Sequence, residues 1–498
     1  MNTVRSAAVM NDDGTGRLER KSVQEYIDET PFWSDGTSAP SSPMTAMQWR
    51  IWLLASAGKF FEGMVVFMTG VALPLIVREY GLGAMEKGAV SAATLFGILI
   101  GATALGGLAD SYGRRRMFIV EMILFIVCLV ALIFSPGYIM MVTCLFGMGL
   151  ALGCDYPTAH MIISESIPSS DRGRLVLSAF AFQAVGALAG TIVGYLILYK
   201  EPELQAWRYM YGAAVLPAFL VLIGRFRIPD SGHWLVSKGR IKEAEEALMR
   251  LLRREPHYPK VIRIEPPSCD ENGDNGGTYS DLFRRRNIRA TILASVPWFL
   301  QDLGTYGIGI FTPTILGTVL GAESVYARNI ADLIRNDLLA AKGAAFIDVL
   351  LLVGILAAVL MADKVGRIKL QVVGFIGCAV GLFIASLSMM AGFSSSVSMV
   401  LLFSGFMLFS FMTNMGPNAI TYLLAGEVFP TCVRGKGAGL AASFAKIGAV
   451  TTAFFFPVFL KDFGAGPILA VLVGCSLLGA AITWIFRIET SGVNLEEL

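Results

Sequence analysis

The stretch Asp110-Ser-Tyr-Gly-Arg114 occurs a second time, 253 residues later, as Asp363-Lys-Val-Gly-Arg367. An acid, a glycine and an arginine therefore stand at matching places in the two halves of the chain. This recurrence alone is weak evidence, because many loops contain an acid and an arginine.

A second signature repeats in the same order and at nearly the same offset. Glu165 is followed after six residues by Arg172, and the same spacing separates Glu427 and Arg434, 262 residues further along. Two signatures that recur in one order at similar offsets indicate an internal duplication. The sequence therefore predicts two similar halves.

The composition places both halves in a membrane. Hydrophobic residues make up 55% of the 498 residues and charged residues only 16%, and the mean hydropathy is +0.63. So few charges cannot cover the surface of a soluble protein of this size. The net charge of +2 gives no basic excess, so nucleic acid is not an expected partner.

Twelve apolar stretches approach the length of about 20 residues that a membrane-spanning helix needs. They predict an all-α membrane protein with two pseudo-symmetric six-helix bundles, and the spans lie near residues 50–77, 88–109, 117–135, 138–160, 175–199, 209–225, 290–319, 344–361, 368–391, 397–424, 437–460 and 465–486. The predicted domains are a polar cytoplasmic tail at 1–47, the first bundle at 48–225, a cytoplasmic central loop with an amphipathic helix at 226–288, the second bundle at 289–487 and a cytoplasmic tail at 488–498.

Lysine and arginine cluster in the central loop and in the short loops after the second, fourth, eighth and tenth predicted spans. Loops of this kind are normally cytoplasmic. Both termini are therefore expected in the cytoplasm, and in a bacterium the membrane would be the inner membrane. Arg328, Arg335 and Lys342 fall on the other side, in a predicted polar insert between the seventh and eighth spans.

The sequence shows no pattern typical of an enzyme or a metal site. The three histidines are isolated, and no nucleotide-binding glycine loop follows a predicted strand. The seven cysteines lack metal-ligand spacing and are interpreted as reduced packing residues. We therefore expect no metal and no cofactor other than a proton gradient. The expected partners of a monomer are membrane lipid, protons and a small-molecule substrate.

Ionisable side chains inside the predicted spans are the candidate functional residues, because a charge at that depth is costly. They are Lys59, Glu62, Asp155, Asp302 and Lys446. At about 1.5 Å per residue, Glu62, Asp302 and Lys446 lie roughly 15–18 Å from the predicted span ends, near the middle of an approximately 30 Å apolar layer. That depth suits a site that opens alternately to the two sides. Lys59 and Glu62, one turn apart, can pair.

The seventh predicted span carries an aromatic ring, a carboxylate and a phenol on one face. Trp298, Asp302 and Tyr306 follow one another at intervals of four residues, so they share that face within a drift of about 40° per step. This face can stack on a ligand and can exchange hydrogen bonds with it. Gln183 is a further polar candidate, whereas Asn414 is expected to bond to a neighbouring helix.

The chain resembles the major facilitator superfamily over nearly its whole length. The stretch from Gly106 to Arg115 matches the signature between the second and third helices of that superfamily, and the second copy has Val359 in place of the leading glycine. The resemblance implies two six-helix bundles that rock about a central site. Charged loop residues would then act as gates when the cytoplasmic side closes, namely Asp110, Arg114, Glu165, Arg172, Asp363, Arg367, Glu427 and Arg434.

Site motifs also resemble the phosphate:proton symporter family within that superfamily. They are Asp155-Tyr-Pro157, the face from Trp298 to Tyr306, Gly416-Pro-Asn418, and a lysine at the position of Lys446. The resemblance implies substrate binding by Tyr156, Gln183, Trp298, Asp302, Tyr306, Asn418 and Lys446. It implies proton coupling by Asp155 and Asp302, and Glu62 stands at a further acidic position of that family. A protonated Asp302 can donate a hydrogen bond to an oxyanion, whereas an ionised Asp302 repels it. Uptake of the proton and uptake of the anion are therefore coupled.

Two departures from that family leave other substrates open. Val65 stands where the family has a second acid, and no arginine lies near Cys144. Inorganic phosphate is the leading candidate for a proton-coupled secondary active transporter with alternating access. One alternative is an aromatic or aliphatic organic acid with Lys446 or Lys59 as counter-ion, and another is a sugar stacked on Trp298. A facilitator or a non-transporting sensor of the same fold is the second alternative.

Overall fold

The computed structural model describes residues 21–29, 44–105, 108–170, 172–253, 262–264, 278–320, 330–389, 394–430 and 433–490, with the side chains at 105, 110, 317–320 and 363 left out. Every regular element in these residues is a helix. Eleven helical segments are long and apolar enough to cross a membrane. The 33-residue helix Ile288–Leu320 completes the predicted set of twelve.

These twelve segments are numbered here as spans in chain order. The first half has span 1 (Ala46–Tyr80), span 2 (Ala84–Ala104), span 3 (Arg114–Ile133), span 4 (Tyr138–Ser166), span 5 (Arg172–Lys200) and span 6 (Ala206–Phe226). The second half has span 7 (Ile288–Leu320), span 8 (Ile330–Val365), span 9 (Arg367–Leu387), span 10 (Ser395–Glu427), span 11 (Arg434–Phe463) and span 12 (Ala465–Ile485).

Span 8 begins 14 residues earlier than the sequence predicts, so residues 330–343 of the predicted polar insert belong to this helix. Arg335 and Lys342 both lie within this helix. Polar residues hid its first part from the hydropathy pattern, and two of them, Asn336 and Asp337, line a cleft between the halves. Arg328 lies outside the described residues.

Several helix pairs join the two halves. Span 1 packs against span 7, span 2 against span 11, and span 5 against span 8. Because the number of spans is even, the chain enters and leaves the bundle on the same side. We call that side the terminal face and the other side the opposite face.

Glycine contacts hold span 1 tightly against span 5. A β-carbon added at Gly63 would lie 2.0 Å from the carbonyl oxygen of Gln183, and one added at Gly186 would lie 1.9 Å from the carbonyl oxygen of Phe60. Small residues allow such close backbone approach in membrane bundles. The contact sets Glu62, next to Gly63, beside the side chain of Gln183.

Gly186→Ala is expected to lower the stability of the detergent-purified protein by about 1–3 kcal/mol, because the added methyl group forces spans 1 and 5 apart. Thermal unfolding followed by tryptophan fluorescence measures the change. Gly173→Ala in the same span is the matched control, since an added β-carbon there meets nothing within 4 Å. Equal unfolding temperatures for the two variants would contradict the close contact.

Short helices cover the terminal face. Gly232–Ser237 and Ile241–Leu252 follow span 6, and Val23–Asp28 lies in the segment that the sequence predicts as a polar tail. The apolar face of Ile241–Leu252 is buried at Ala244 and Leu248. It packs in one apolar cluster with Ile27 and Ile51, so the protein itself covers the apolar face of this amphipathic helix.

Candidate functional site

A small cavity lies between the two halves near the middle of the bundle. All seven predicted substrate-binding residues line it, namely Tyr156, Gln183, Trp298, Asp302, Tyr306, Asn418 and Lys446. Lys59 and the apolar residues Ile98, Ala102, Phe180 and Ala442 complete the lining. The predicted shared face of Trp298, Asp302 and Tyr306 is thus confirmed. That these residues bind a substrate remains a prediction.

Helix irregularities surround this central cavity. Span 2 contains a π-helical turn at Gly101–Leu105. Span 5 breaks between Phe180 and Phe182, and span 10 breaks at Gly416, directly before Pro417. Such irregular turns free backbone groups and often occur at functional sites.

Glu62 is the centre of the charged network. Its Oε1 accepts hydrogen bonds from Lys446 Nζ (3.2 Å), Tyr306 OH (2.9 Å) and Gln183 Nε2 (3.3 Å). Its Oε2 accepts from Lys59 Nζ (2.6 Å), which confirms the predicted pair within span 1. The side chain is 3% exposed. One buried carboxylate therefore engages two ammonium groups and two neutral donors.

Lys446 links the halves at this point. Its ammonium group donates to Glu62 of span 1, to Asp302 Oδ2 (3.5 Å) and to Tyr306 OH (2.7 Å). An ammonium group has three donors, so these contacts use all of them. Span 11 is thereby tied to span 1 in the other half and to span 7 in its own half.

Lys59 lies at the other end of the network. Its ammonium group sits 3.9 Å from the ring centre of Tyr156, a distance typical of a cation–π contact. The lysine is therefore held between the Glu62 carboxylate and an aromatic face. The two cations of the site approach the same acid from opposite halves of the chain.

Amide side chains complete the wall formed by span 10. Asn418 donates to Asn414 Oδ1 (2.6 Å) and accepts from Gln301 Nε2 (3.1 Å). Asn414 in turn donates to the carbonyl oxygen of Leu351 in span 8 (2.8 Å). The prediction that Asn414 bonds to a neighbouring helix is confirmed.

Asp155 does not line the central cavity. It lies beside an adjoining cavity and forms an ion pair of 2.6 Å with Arg225 of span 6. Arg225 is fully buried, and its guanidinium lies 3.4 Å from the ring centre of Phe118. A second buried acid, Glu121, lies near this pair and accepts from Thr158 Oγ1 (2.9 Å).

Tyr422 is a site residue that the sequence reasoning missed. Its ring stacks on Phe180 from the other half, with ring centres 4.5 Å apart, and it makes edge contacts with Tyr156 and Trp298. These three ring partners, Tyr156, Phe180 and Trp298, line the central cavity. The available signal was spacing, because Tyr422 follows Asn418 by one helical turn on the same face.

The first copy of the repeated signature forms a clasp at the terminal face. Arg114 Nε and Nη2 donate to the two carboxylate oxygens of Glu165 (3.3 and 3.1 Å), and Nη1 donates to the carbonyl oxygen of Ala109 (3.1 Å). Gly113 before it has φ +102°, which glycine adopts without strain. We call this arrangement the first clasp.

The second copy forms the same arrangement, which we call the second clasp. Arg367 Nε and Nη2 donate to the two oxygens of Glu427 (3.3 and 3.4 Å), and Nη1 donates to the carbonyl oxygen of Ala362 (3.2 Å). Gly366 has φ +94°. Each copy thus brings an arginine and a glutamate of the predicted gating set together, and a gating role remains a prediction.

A third repeated element, which the sequence reasoning missed, closes each clasp. Asp230, after span 6, accepts from the backbone N–H of Arg115 (3.3 Å), and Glu489, after span 12, accepts from that of Arg367 (2.9 Å). A Ser-Gly dipeptide comes directly after Asp230. Another comes after Glu489, from which one residue separates it. The different acids and the shifted register concealed this signal.

The other predicted gating residues lie close to the clasps. Arg172 donates to Ser169 Oγ (3.5 Å), and Arg434 donates to the carbonyl oxygen of Phe429 (3.1 Å). The side chains of Asp110 and Asp363 lie outside the described residues.

The chain has two six-span halves, which are joined by a charged network and each carry one clasp at the terminal face. This architecture is that of a membrane transporter. The model of the sugar (and other) transporter family matches residues 51–498. The chain belongs to this family, and it is a multi-pass integral membrane protein rather than an enzyme.

Named relatives agree with this class. A protein of Escherichia coli named for metabolite transport, YaaU, is 30% identical over 90% of this chain and 94% of its own length. A protein of Schizosaccharomyces pombe named for inorganic phosphate transport is 26% identical over 97% of this chain and 91% of its own. The major facilitator superfamily proton:xylose symporter XylE of Escherichia coli has the same fold, with a TM-score of 0.72 at 20% identity over 91% of this chain and 98% of its own.

Proposed function

We propose that this chain is a proton-coupled symporter of a small anion, with inorganic phosphate as the first candidate. One observation carries the proposal: the Glu62 carboxylate occupies the donors of Lys446, Lys59, Tyr306 and Gln183 at the junction of the halves. A carboxylate is itself an anion, so it holds these donors as a substrate anion would.

Protonation of Glu62 supplies the coupling step. A neutral carboxylic acid no longer balances the charges of Lys446 and Lys59, so both ammonium groups become available to an incoming anion. The anion and the proton thus load together, and loss of the proton restores the Glu62 carboxylate as a competitor that expels the anion. Asp302, next to Lys446, adds a second acid whose charge opposes the anion.

Several features support phosphate as the anion. The cavity offers ammonium, phenol and amide donors, and oxyanions bind to such charged donors. A relative from fission yeast is named for inorganic phosphate transport. The aromatic rings of Trp298, Tyr156 and Phe180 favour an aromatic or aliphatic organic acid as the second candidate, because they can cover apolar parts of a ligand.

The proposal includes the topology. Both termini and the two clasps lie on the cytoplasmic side, as the lysine and arginine distribution supports. In a bacterium the protein acts in the inner membrane, and one copy of the chain suffices because one chain forms the whole cavity.

Uptake into proteoliposomes is expected to be saturable, to require an inward proton gradient and to fall by about a hundredfold in Lys446→Gln, since one counter-charge to the anion is lost. Radiolabelled phosphate is tested first, then benzoate, succinate and xylose. Lys461→Gln in the same span is the control, because Lys461 is exposed near the end of span 11. Phosphate uptake that ignores the proton gradient would contradict the symport proposal, and uptake of another compound alone would replace phosphate.

A further inference from the structure

A cleft opens between the two halves on the opposite face. Its empty volume is about 1150 Å³, including space open to solvent. Spans 1 and 2 contribute Pro74, Arg78 and Lys87, and spans 7 and 8 contribute Pro313 and Asp337. The cleft therefore has one wall from each half.

Asp337 is an unusual group in this wall. The side chain is 5% exposed, and neither carboxylate oxygen has a hydrogen-bond partner among the described residues. A buried acid without partners costs free energy unless another state of the protein supplies them. No contact within the described residues of this structure offsets that cost.

Cations stand on the facing wall. Lys87 and Arg78 belong to the first half and line the same cleft as Asp337 of the second half. Lys87 is half-buried, whereas Arg78 is exposed. The next residue, Gly88, packs against the carbonyl oxygen of Phe454 in span 11, which an added β-carbon would approach to 2.2 Å. Lys87 is thereby held at the boundary between the halves.

The walls of the cleft can bend at its base. Spans 1 and 7 touch where Gly70 meets the carbonyl oxygen of Ile310, which an added β-carbon would approach to 2.4 Å. Pro74 follows this contact by one turn in span 1, and Pro313 follows it by three residues in span 7. Proline removes a helical hydrogen bond and permits a kink. Both helices can therefore turn toward each other beyond the contact.

We propose that Asp337 and Lys87 form an ion pair when the opposite face closes, so that they constitute a gate between the halves. This ion pair offsets the free-energy cost of burying Asp337 and thereby stabilises the closed state of that face. The clasps at the terminal face join residues of one half, whereas this gate joins residues of both. The inference rests on the proposed transport function, because a transporter must open to the two sides in turn, but it does not depend on which substrate is carried.

The test measures how open the cleft is without using transport. Leu82 lines the cleft, so the rate at which a membrane-impermeant maleimide labels Leu82→Cys reports its opening. In that background, Asp337→Asn and Lys87→Gln are each expected to raise the labelling rate by about tenfold, because the closed state loses its ion pair. The double variant Lys87→Asp with Asp337→Lys is expected to return the rate to within about threefold of the parent.

Glu86→Gln is the matched control, since Glu86 is adjacent to Lys87 but its carboxylate accepts from the backbone N–H of Gly83 (2.7 Å). Thermal unfolding of each variant separates opening of the cleft from loss of the fold. Single variants that label like the parent, or a double variant no slower than the single ones, would overturn the gate. If the variants label as expected but proton-driven uptake is absent, the symport proposal is refuted and the proposed gate is not.

Discussion

Glu62→Gln is expected to reduce proton-driven accumulation of the substrate by about a hundredfold, near the upper end of the coupling between linked binding events. The same variant is expected to retain exchange of labelled for unlabelled substrate across the membrane. Glutamine has nearly the shape of glutamate but carries no charge and takes up no proton in the physiological range. It therefore imitates the protonated acid permanently.

The contacts of Glu62 explain why the two activities separate. In the native site its carboxylate balances Lys446 at 3.2 Å and Lys59 at 2.6 Å. With glutamine, both lysines stay available to the anion whatever the pH, so binding persists. The step in which the deprotonated acid displaces the anion is lost. A proton gradient then no longer drives accumulation of the substrate.

Counterflow and gradient-driven uptake in the same proteoliposomes measure the two activities. Glu79→Gln is the control in the same span, because Glu79 pairs with Arg208 (2.9 Å) away from the central cavity. Gradient-driven accumulation by Glu62→Gln at the native rate would refute the coupling role of Glu62. Loss of exchange together with accumulation would assign Glu62 to substrate binding instead.

Arg225→Met is expected to destabilise the protein by about 3–5 kcal/mol, the cost of leaving a buried charge without its partner. Arg225 is fully buried and pairs with Asp155 at 2.6 Å. It also donates to the carbonyl oxygen of Phe118 (2.7 Å). Methionine fills much of the volume, but it leaves the Asp155 carboxylate without its countercharge.

Thermal and denaturant unfolding in detergent measure this loss. The double variant Arg225→Met with Asp155→Asn is expected to recover part of it, because the unpaired charge is removed as well. Arg227→Met, two residues further on and exposed, is the control. If Arg225→Met cost no more than Arg227→Met, the buried pair would contribute little to stability.

The sequence predicted those features that short stretches of chain encode. Length and hydropathy define the twelve spans, and the repeated spacing of Asp110 and Glu165 with their copies defines the halves. The shared face of Trp298, Asp302 and Tyr306 follows from helical geometry alone. The spans and the shared face hold because each depends on residues within a few turns of one another, and the halves follow from comparing short stretches that recur.

Partners between distant helices were beyond the sequence. Arg225, at the end of a predicted span, has the pattern of a topology-determining charge, and only the packing of span 6 against span 3 brings it to Asp155. Tyr422 lies among mostly apolar residues, and its stacking partner Phe180 comes from the other half. The start of span 8 was missed because polar residues facing a cleft between helices interrupt the apolar pattern.

The clasps have a mechanical consequence. Arg114 with Glu165 and Arg367 with Glu427 each join consecutive spans of a single half, and Asp230 and Glu489 tie in the chain that leaves that half. Contacts of this kind connect residues within one half, so they stiffen that half and do not link it to the other half. Each half is thus expected to move as a rigid body. The ion pair of Glu62 and Lys446 lies at the contact about which the two halves would rotate.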